Sequence, residues 1–343
     1  MTTRNVFSRR DFIRGLGASV LAASALARSS GALAQDVDQP FQHGVASGDP
    51  LADRVIIWTR VTPKHPGPVS VKWEVAHDAE FRQVLRRGHA LAGAQADYTV
   101  KVDVLGLPPS ATLFYRFSAQ GQLSTVGRTR TLPVGELDQV KLAVFSCANY
   151  PAGYFHVYAE AAKLDDVFAS VHLGDYIYEY GRDGYASGDA AALGRDVEPA
   201  NDLLDLNAYR QRYSQYRSDL YLQAMHAAMP MIAVWDDHEI SNDTWRHGAE
   251  NHDQASEGSF GVRRAAAIRA YHEWLPTRLP NPNKPELIFR SFKFGNLLSL
   301  YMLDTRVIAR DQQLDYANYL SATGFDEAQF SVDMANPDRQ LIG

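Results

Sequence analysis

Three short stretches carry the residue types that can do chemistry: Phe145-Ser146-Cys147, Gly174-Asp175-Tyr176-Ile177-Tyr178 and Trp235-Asp236-Asp237-His238-Glu239. Each follows an apolar run that reads as a buried strand: Leu142 to Phe145, Val167 to Leu173, and Met231 to Trp235. Loops leaving the ends of successive parallel strands share one edge of a sheet, so positions 147, 175 and 237 can meet at one point. A thiol, a phenol, several carboxylates and an imidazole converging there suit a metal cluster better than a nucleotide loop.

Metal-assisted phosphoester hydrolysis needs anionic ligands that hold two or more cations about 3.5–4 Å apart. It also needs a cationic or protonated group beside the leaving oxygen. Asp175, at a strand end, is placed to bridge two ions. Tyr178 can bring its phenolate onto the same ion as Cys147, and thiolate with phenolate favours a trivalent ion such as Fe³⁺. Asp236 and Asp237 offer oxygen to a harder ion such as Ca²⁺ or Mn²⁺. His238 can hydrogen-bond a phosphate or protonate a leaving group, with Glu239 or a nearby carboxylate orienting it. Taken singly, each motif has a plainer reading. Gly174-Asp175 is a turn, Asp236 to Glu239 an acidic helix cap, and His172 a satisfied core histidine. Their order behind three buried strands favours the cluster.

The elements that must position these residues fall into two textures. Val55 to Trp58, Val69 to Val75, Tyr98 to Val102 and Leu113 to Phe117 are strand-like, with Gly, Pro and Asp between them. They predict an all-β immunoglobulin-like or fibronectin-like sandwich over residues 41–134. From Lys141 strands and helices alternate, which predicts an α/β domain over 141–343. Helices are expected at Val157 to Leu164, as one long stretch at Leu203 to Met229, and at Val262 to Trp274; strands return at Leu287 to Phe292 and Leu297 to Leu303. Asp183 to Asn201 reads as a surface loop near the site.

Residues 1–34 read as a twin-arginine export signal. Ser8-Arg9-Arg10-Asp11-Phe12-Ile13 supplies the arginine pair, Gly15 to Ala27 a weakly apolar core, and Ala32-Leu33-Ala34 a cleavage site. A periplasmic or secreted protein handed to the twin-arginine machinery is expected. The net charge of −6 and the lack of a basic block after the signal disfavour nucleic-acid binding. No later apolar run approaches the about 18 residues a spanning helix needs. A single cysteine in an exported chain can form no internal disulfide, so Cys147 is either a metal ligand or a buried inert thiol.

The ordered set of motifs resembles the PhoD-type alkaline phosphatases of the calcineurin-like metallophosphoesterases. The matching segments are Phe41 to Pro50, Val55 to Arg60, Phe145 to Cys147, His172 to Glu179, Trp235 to Glu239 and Leu303 to Arg306. The resemblance implies an exported phosphomonoesterase or phosphodiesterase that carries Fe³⁺ and Ca²⁺ and attacks with a metal-bound hydroxide. It places iron on Cys147, Asp175 and Tyr178, and calcium on Asp175 and Asp237, where the superfamily has a metal-binding Asn. His238 takes the catalytic His position, with Asp237 beside it; Asn242 is a further candidate ligand and Arg306 a candidate phosphate contact or salt bridge. The family supplies later ligands from a Gly-Asp-x-His segment, whereas here the final histidine is His272 and no Gly-Asp pair is followed by x-His. A metallophosphoesterase domain incomplete at its C-terminus is therefore expected. Two alternatives stand beside the phosphatase: an inactive or non-catalytic binding module, and a phospholipase-D-like phosphodiesterase acting on lipid or cell-wall polymer.

Overall fold

The computed structural model describes residues 39–342; the export signal read over residues 1–34 lies outside the described residues. The strands in chain order are β1 (Val45–Gly48), β2 (Arg54–Arg60), β3 (Val69–Ala76), β4 (Val84–Ala92), β5 (Thr99–Leu105), β6 (Thr112–Ala119), β7 (Gln122–Leu123) and β8 (Gly127–Arg130). They are followed by β9 (Leu142–Phe145), β10 (Ala169–His172), β11 (Met231–Ala233), β12 (Arg290–Phe294), β13 (Leu298–Met302), β14 (Leu320–Ser321) and β15 (Gly324–Phe325). The helices are α1 (His156–Ala162), α2 (Ala190–Leu193), α3 (Leu206–Arg217), α4 (Leu220–Ala228), α5 (Gln254–Glu257), α6 (Phe260–Trp274) and α7 (Glu327–Met334).

A six-stranded sheet runs in the order β5-β2-β1-β11-β10-β9. The strands β9, β10 and β11 are parallel; β10 and β11 are buried on both faces, as their apolar runs require, while β9 is the sheet's edge and leaves Val144 exposed. The sequence predicts a self-contained β-sandwich before residue 134, and here the hydrogen bonds differ. β1 pairs antiparallel with β2 but parallel with β11, through Gly48 and Met231, so three N-terminal strands extend the sheet that carries the chemistry. The remaining N-terminal strands form a second sheet, β4-β3-β6-β7 with β8 also on β6, while β12 and β13 pair as a separate hairpin. Alternating side chains of both sheets, among them Val55, Ile57, Val71, Val75, Val104, Leu113 and Phe117, fill the space between them.

The long helix expected over Leu203 to Met229 is two helices. Asp219 stops the first and caps the second, its carboxylate accepting from the amides of Tyr221 and Leu222. The α3 tyrosines Tyr209, Tyr213 and Tyr216 stack into the main core, along with α6 residues Ala267, Tyr271 and Trp274. The loop at Asp183 to Asn201 holds the short helix α2.

Two buried histidines should make the fold acid-labile. Burial pushes His172 down to about 3, and burial with the nearby Lys101 charge pushes His272 down to about 3. Both are neutral in the folded chain and titrate near 6.5 when unfolded, so the unfolded chain binds more protons between those limits. Their contribution is whole above pH about 6.5 and is lost as pH falls toward 3, at up to about 1.4 kcal/mol per pH unit for each histidine. The urea midpoint should fall from pH 7.5 to pH 5, and His172→Gln should flatten the slope. A midpoint unchanged over that interval would contradict this.

Candidate metal centre

The turns that follow β9 and β10 are stitched together by backbone hydrogen bonds. The amide of Cys147 donates to the Gly174 carbonyl at 3.2 Å, and that of Ala148 to the Asp175 carbonyl at 2.8 Å. Gly174 sits at φ +113° against the start of the third loop, where an added Cβ would stand 2.2 Å from the Asp236 nitrogen. Only glycine allows that approach. Cys147 and Asp175 themselves adopt left-handed backbone, at φ +59° and +55°. Such residues are strained by about 1 kcal/mol or more, and strain of this kind collects at functional sites.

These turns bring Cys147, Asp175 and Tyr178 together on one carboxylate oxygen. Asp175 Oδ2 lies 3.4 Å from Cys147 Sγ and 3.4 Å from the Tyr178 hydroxyl. Ligands about 2.0–2.3 Å from a shared ion and near 90–110° apart stand about 3–3.7 Å from each other. The spacing fits one cation. The other oxygen, Oδ1, is buried and has no hydrogen-bond partner among the described residues. Ligand atoms of Asp175, Asp237 and His238 all lie within 4.8 Å of one another. A buried orphan carboxylate oxygen beside a second carboxylate is costly without a cation to satisfy it.

Protonation tells the same story. Burial, reinforced by Asp237 and Asp236, pushes Asp175 up to about 6 against the pull of His238. Cys147 is exposed, which sets aside the buried thiol, and partial desolvation raises its pKa; burial with the Asp175 charge raises the Tyr178 phenol. The thiol and phenol therefore hold their protons until a cation displaces them, and loading should release protons.

Around this group the carboxylates have distinct tasks. Glu239 is buried beneath the turns and accepts from the backbone amides of Asp175 at 3.0 Å, Tyr176 at 2.5 Å and Asp236 at 2.8 Å. It locks two of the three loops together and does not orient His238, the task the sequence assigns to it or a neighbour. That task falls to Glu179, fully buried, whose Oε2 is 2.8 Å from His238 Nδ1. Its other oxygen accepts from the Asn242 amide at 2.6 Å and from Asn251 Nδ2 at 3.3 Å. Burial alone would lower the His238 pKa, but the Glu179 hydrogen bond and the charges of Glu179, Asp237 and Asp175 push it up to about 9. The imidazole also stacks on the Tyr178 ring at 4.2 Å.

Arg306 is already engaged. Its Nε donates to Asp236 at 2.6 Å, and its terminal nitrogens lie 3.4 Å from Asp237 and Asp243. It takes the salt-bridge reading, offsetting carboxylate charge at the centre's flank. Asn242 turns its side chain outward, Nδ2 donating to Glu250 at 2.6 Å. Sequence reasoning gave no task to Glu179 or to Asp243, whose amide donates to Asp237 Oδ2 at 2.6 Å. For Glu179 the one signal was a carboxylate immediately after Tyr178.

A family model described as "PhoD-like phosphatase" matches residues 142–343, and one described as "PhoD-like phosphatase, N-terminal domain" matches residues 25–133. The chain belongs to the PhoD-like phosphatase family. Alkaline phosphatase D of Bacillus subtilis (strain 168) is 39% identical over 359 residues, spanning 99% of this chain and 59% of that protein. A solved structure described as "Structure of PhoD" superposes with a TM-score of 0.77 at 39% identity, covering 90% of this chain and 58% of that one. The chain thus spans about three fifths of the length of the relatives it matches. Among the described residues no helix is long and apolar enough to cross a membrane.

Proposed function

We propose that this chain carries the iron-binding part and the catalytic histidine of an exported phosphoester hydrolase. The observation that carries the reading is the single Asp175 oxygen shared at 3.4 Å by a thiol and a phenol, with Asp237 and His238 at its side. Cys147, Asp175 and Tyr178 would hold Fe³⁺; Asp175 and Asp237 would hold Ca²⁺. When bound, these cations supply charge for the phosphate oxygens and an activated water. The protein's own residues do the rest. His238, held protonated by Glu179, faces the leaving oxygen and gives it a proton; Glu239 fixes the loops so that the ligands need not reorganise. The substrate is a phosphomonoester or phosphodiester, and the arginine pair at residues 9–10 supports delivery through the twin-arginine route. The two family models end and begin on either side of 134–141, which supports a division there into an N-terminal part and a phosphatase part.

Metal content by mass spectrometry, measured with turnover of a chromogenic phosphodiester, tests the assignment. Cys147→Ala should lose iron and the absorption band of its thiolate; iron retained at the parent level would remove Cys147 from the ligand set.

Glu179→Gln tests the histidine. Groups that orient an active-site imidazole are typically worth about 10–100-fold. The working form of His238 is protonated, so activity is lost as pH rises through its pKa. Removing the Glu179 charge lowers that pKa, so the alkaline limb of the pH–rate profile should move to lower pH while kcat falls about 10–100-fold. An unmoved limb would mean that His238 is not the acid.

A further inference from the structure

A second site lies at the far edge of the main sheet. A cavity of about 990 Å³ opens between α6, strands β2 and β5, and the segments around Thr277 to Glu286 and Val307. Its volume is at the upper end of the about 300–1,000 Å³ usual for small-molecule sites. Lys101, which lines it, sits on β5, three strands from β11 in the sheet order, or about 14 Å of strand spacing. At its other end Val307 and Ile308 follow Arg306, which reaches Asp236 and Asp237, so the cavity runs from the β5 edge toward the flank of the metal centre.

The lining has two characters. Ile56, Ile268, Leu279, Val307 and Ile308 give an apolar wall, while five cationic side chains face three carboxylates. Two of those carboxylates are occupied: Asp103 by Arg278, and Glu273 by Arg210 and Arg269. Lys101 and Arg264 have no carboxylate partner among the described residues; Lys101 donates to the Thr277 carbonyl at 3.0 Å, and Arg264 to the Arg246 carbonyl. Arg246, also in the lining, pairs with Asp311 at 3.4 Å, while its Nε has no acceptor among the described residues. Half-buried cationic donors that lack a carboxylate partner, Lys101 and Arg264 here, favour an anion beside them.

We propose that this cavity binds an amphipathic monoanion, an aliphatic chain ending in a carboxylate or phosphate-type head. The head meets Lys101 and Arg264, and the chain lies along Ile56, Ile268, Leu279 and Ile308. Burial also pushes the Lys101 pKa down to about 7, so an anionic head that restores its charge gains accordingly.

Calorimetric titration of the purified chain with decanoate, decylphosphonate and decanol tests this. At least one anion should bind about tenfold or more tightly than decanol, as expected when a charged hydrogen bond is made in a dry site. Preference between the two anions identifies the head. Lys101→Met should bring the anion down to the decanol level. Ala265→Trp, an exposed α6 position in the lining, should narrow the cavity and weaken binding without a core change. No binding by any probe would overturn the proposal. So would equal affinity for decanol, or anion binding at the parent level in Lys101→Met.

Discussion

Asp175→Asn is expected to remove metal from the centre, to lower phosphodiester turnover by about a thousandfold or more, and to make the metal-free chain more stable. The first two effects follow from losing the shared oxygen on which Cys147 and Tyr178 converge; a metal's charge is worth several kcal/mol in phosphoryl transfer, and about 1.4 kcal/mol is tenfold. The third has an independent cause. Asp175 titrates near 6 in the folded chain, above its value near 3.9 when unfolded. A carboxylate whose pKa is raised by folding destabilises the fold: the penalty begins above pH about 4 and is complete above pH 6. At pH 7 it is on the order of 2–3 kcal/mol. Asparagine removes the charge and still tolerates φ +55°. Thermal melts in chelator, beside metal analysis, read both effects. A variant that loses metal but melts no higher would mean that the centre carries no stored electrostatic cost.

How much of this was legible beforehand depended on whether the sequence pattern reported burial. Strands β10 and β11 announce themselves because parallel strands covered on both faces are written as apolar runs; edge strand β9 shares the apolar run without that cover, and the loops behind all three carry the unusual residues. Strand β4 was not legible. Its Val84 to Ala92 stretch includes Arg86, Arg87, Gly88 and His89, because it lies at a sheet edge and is mostly exposed. Four-residue β1 was hidden for a different reason: its hydrogen bonds go both to the neighbouring β2 and to β11, far along the chain, and long-range pairing leaves no local trace. The break between α3 and α4 did have a signal, Ser218-Asp219, but aromatic periodicity runs across it. At the centre, residue types and spacing pointed to Cys147, Asp175, Tyr178, Asp237 and His238, whose side chains the fold brings close together. The supporting carboxylates were another matter. Glu179 and Glu239 differ in sequence only by neighbourhood, and which one meets the imidazole is set by how the third loop folds back over the second.

The join between β1 and β11 should be where the fold is most vulnerable. Asp49, the first residue after β1, is fully buried and donates its amide to the Met231 carbonyl at 2.9 Å. Its carboxylate takes two hydrogen bonds from Arg290, at 2.7 and 2.8 Å, and one from the Arg278 amide at 2.6 Å. Arg290 in turn donates to the Ala233 carbonyl at 2.6 Å, on the last residue of β11. One ion pair therefore ties together β1, β11 and β12, and β11 leads straight into Trp235 to Glu239. Asp49→Asn keeps the backbone at φ +44° accessible and leaves Arg290 charged and buried without its partner, which typically costs about 3–5 kcal/mol. That is a large share of the about 5–15 kcal/mol that holds a domain folded. The urea midpoint should fall accordingly, and metal loading should weaken with it, since β11 positions Asp237 and His238. Adding Arg290→Met separates the causes. If the loss comes from the orphaned charge, the double variant should recover much of the stability of Asp49→Asn. If the two losses simply add, the clamp acts through packing and not through its buried charge.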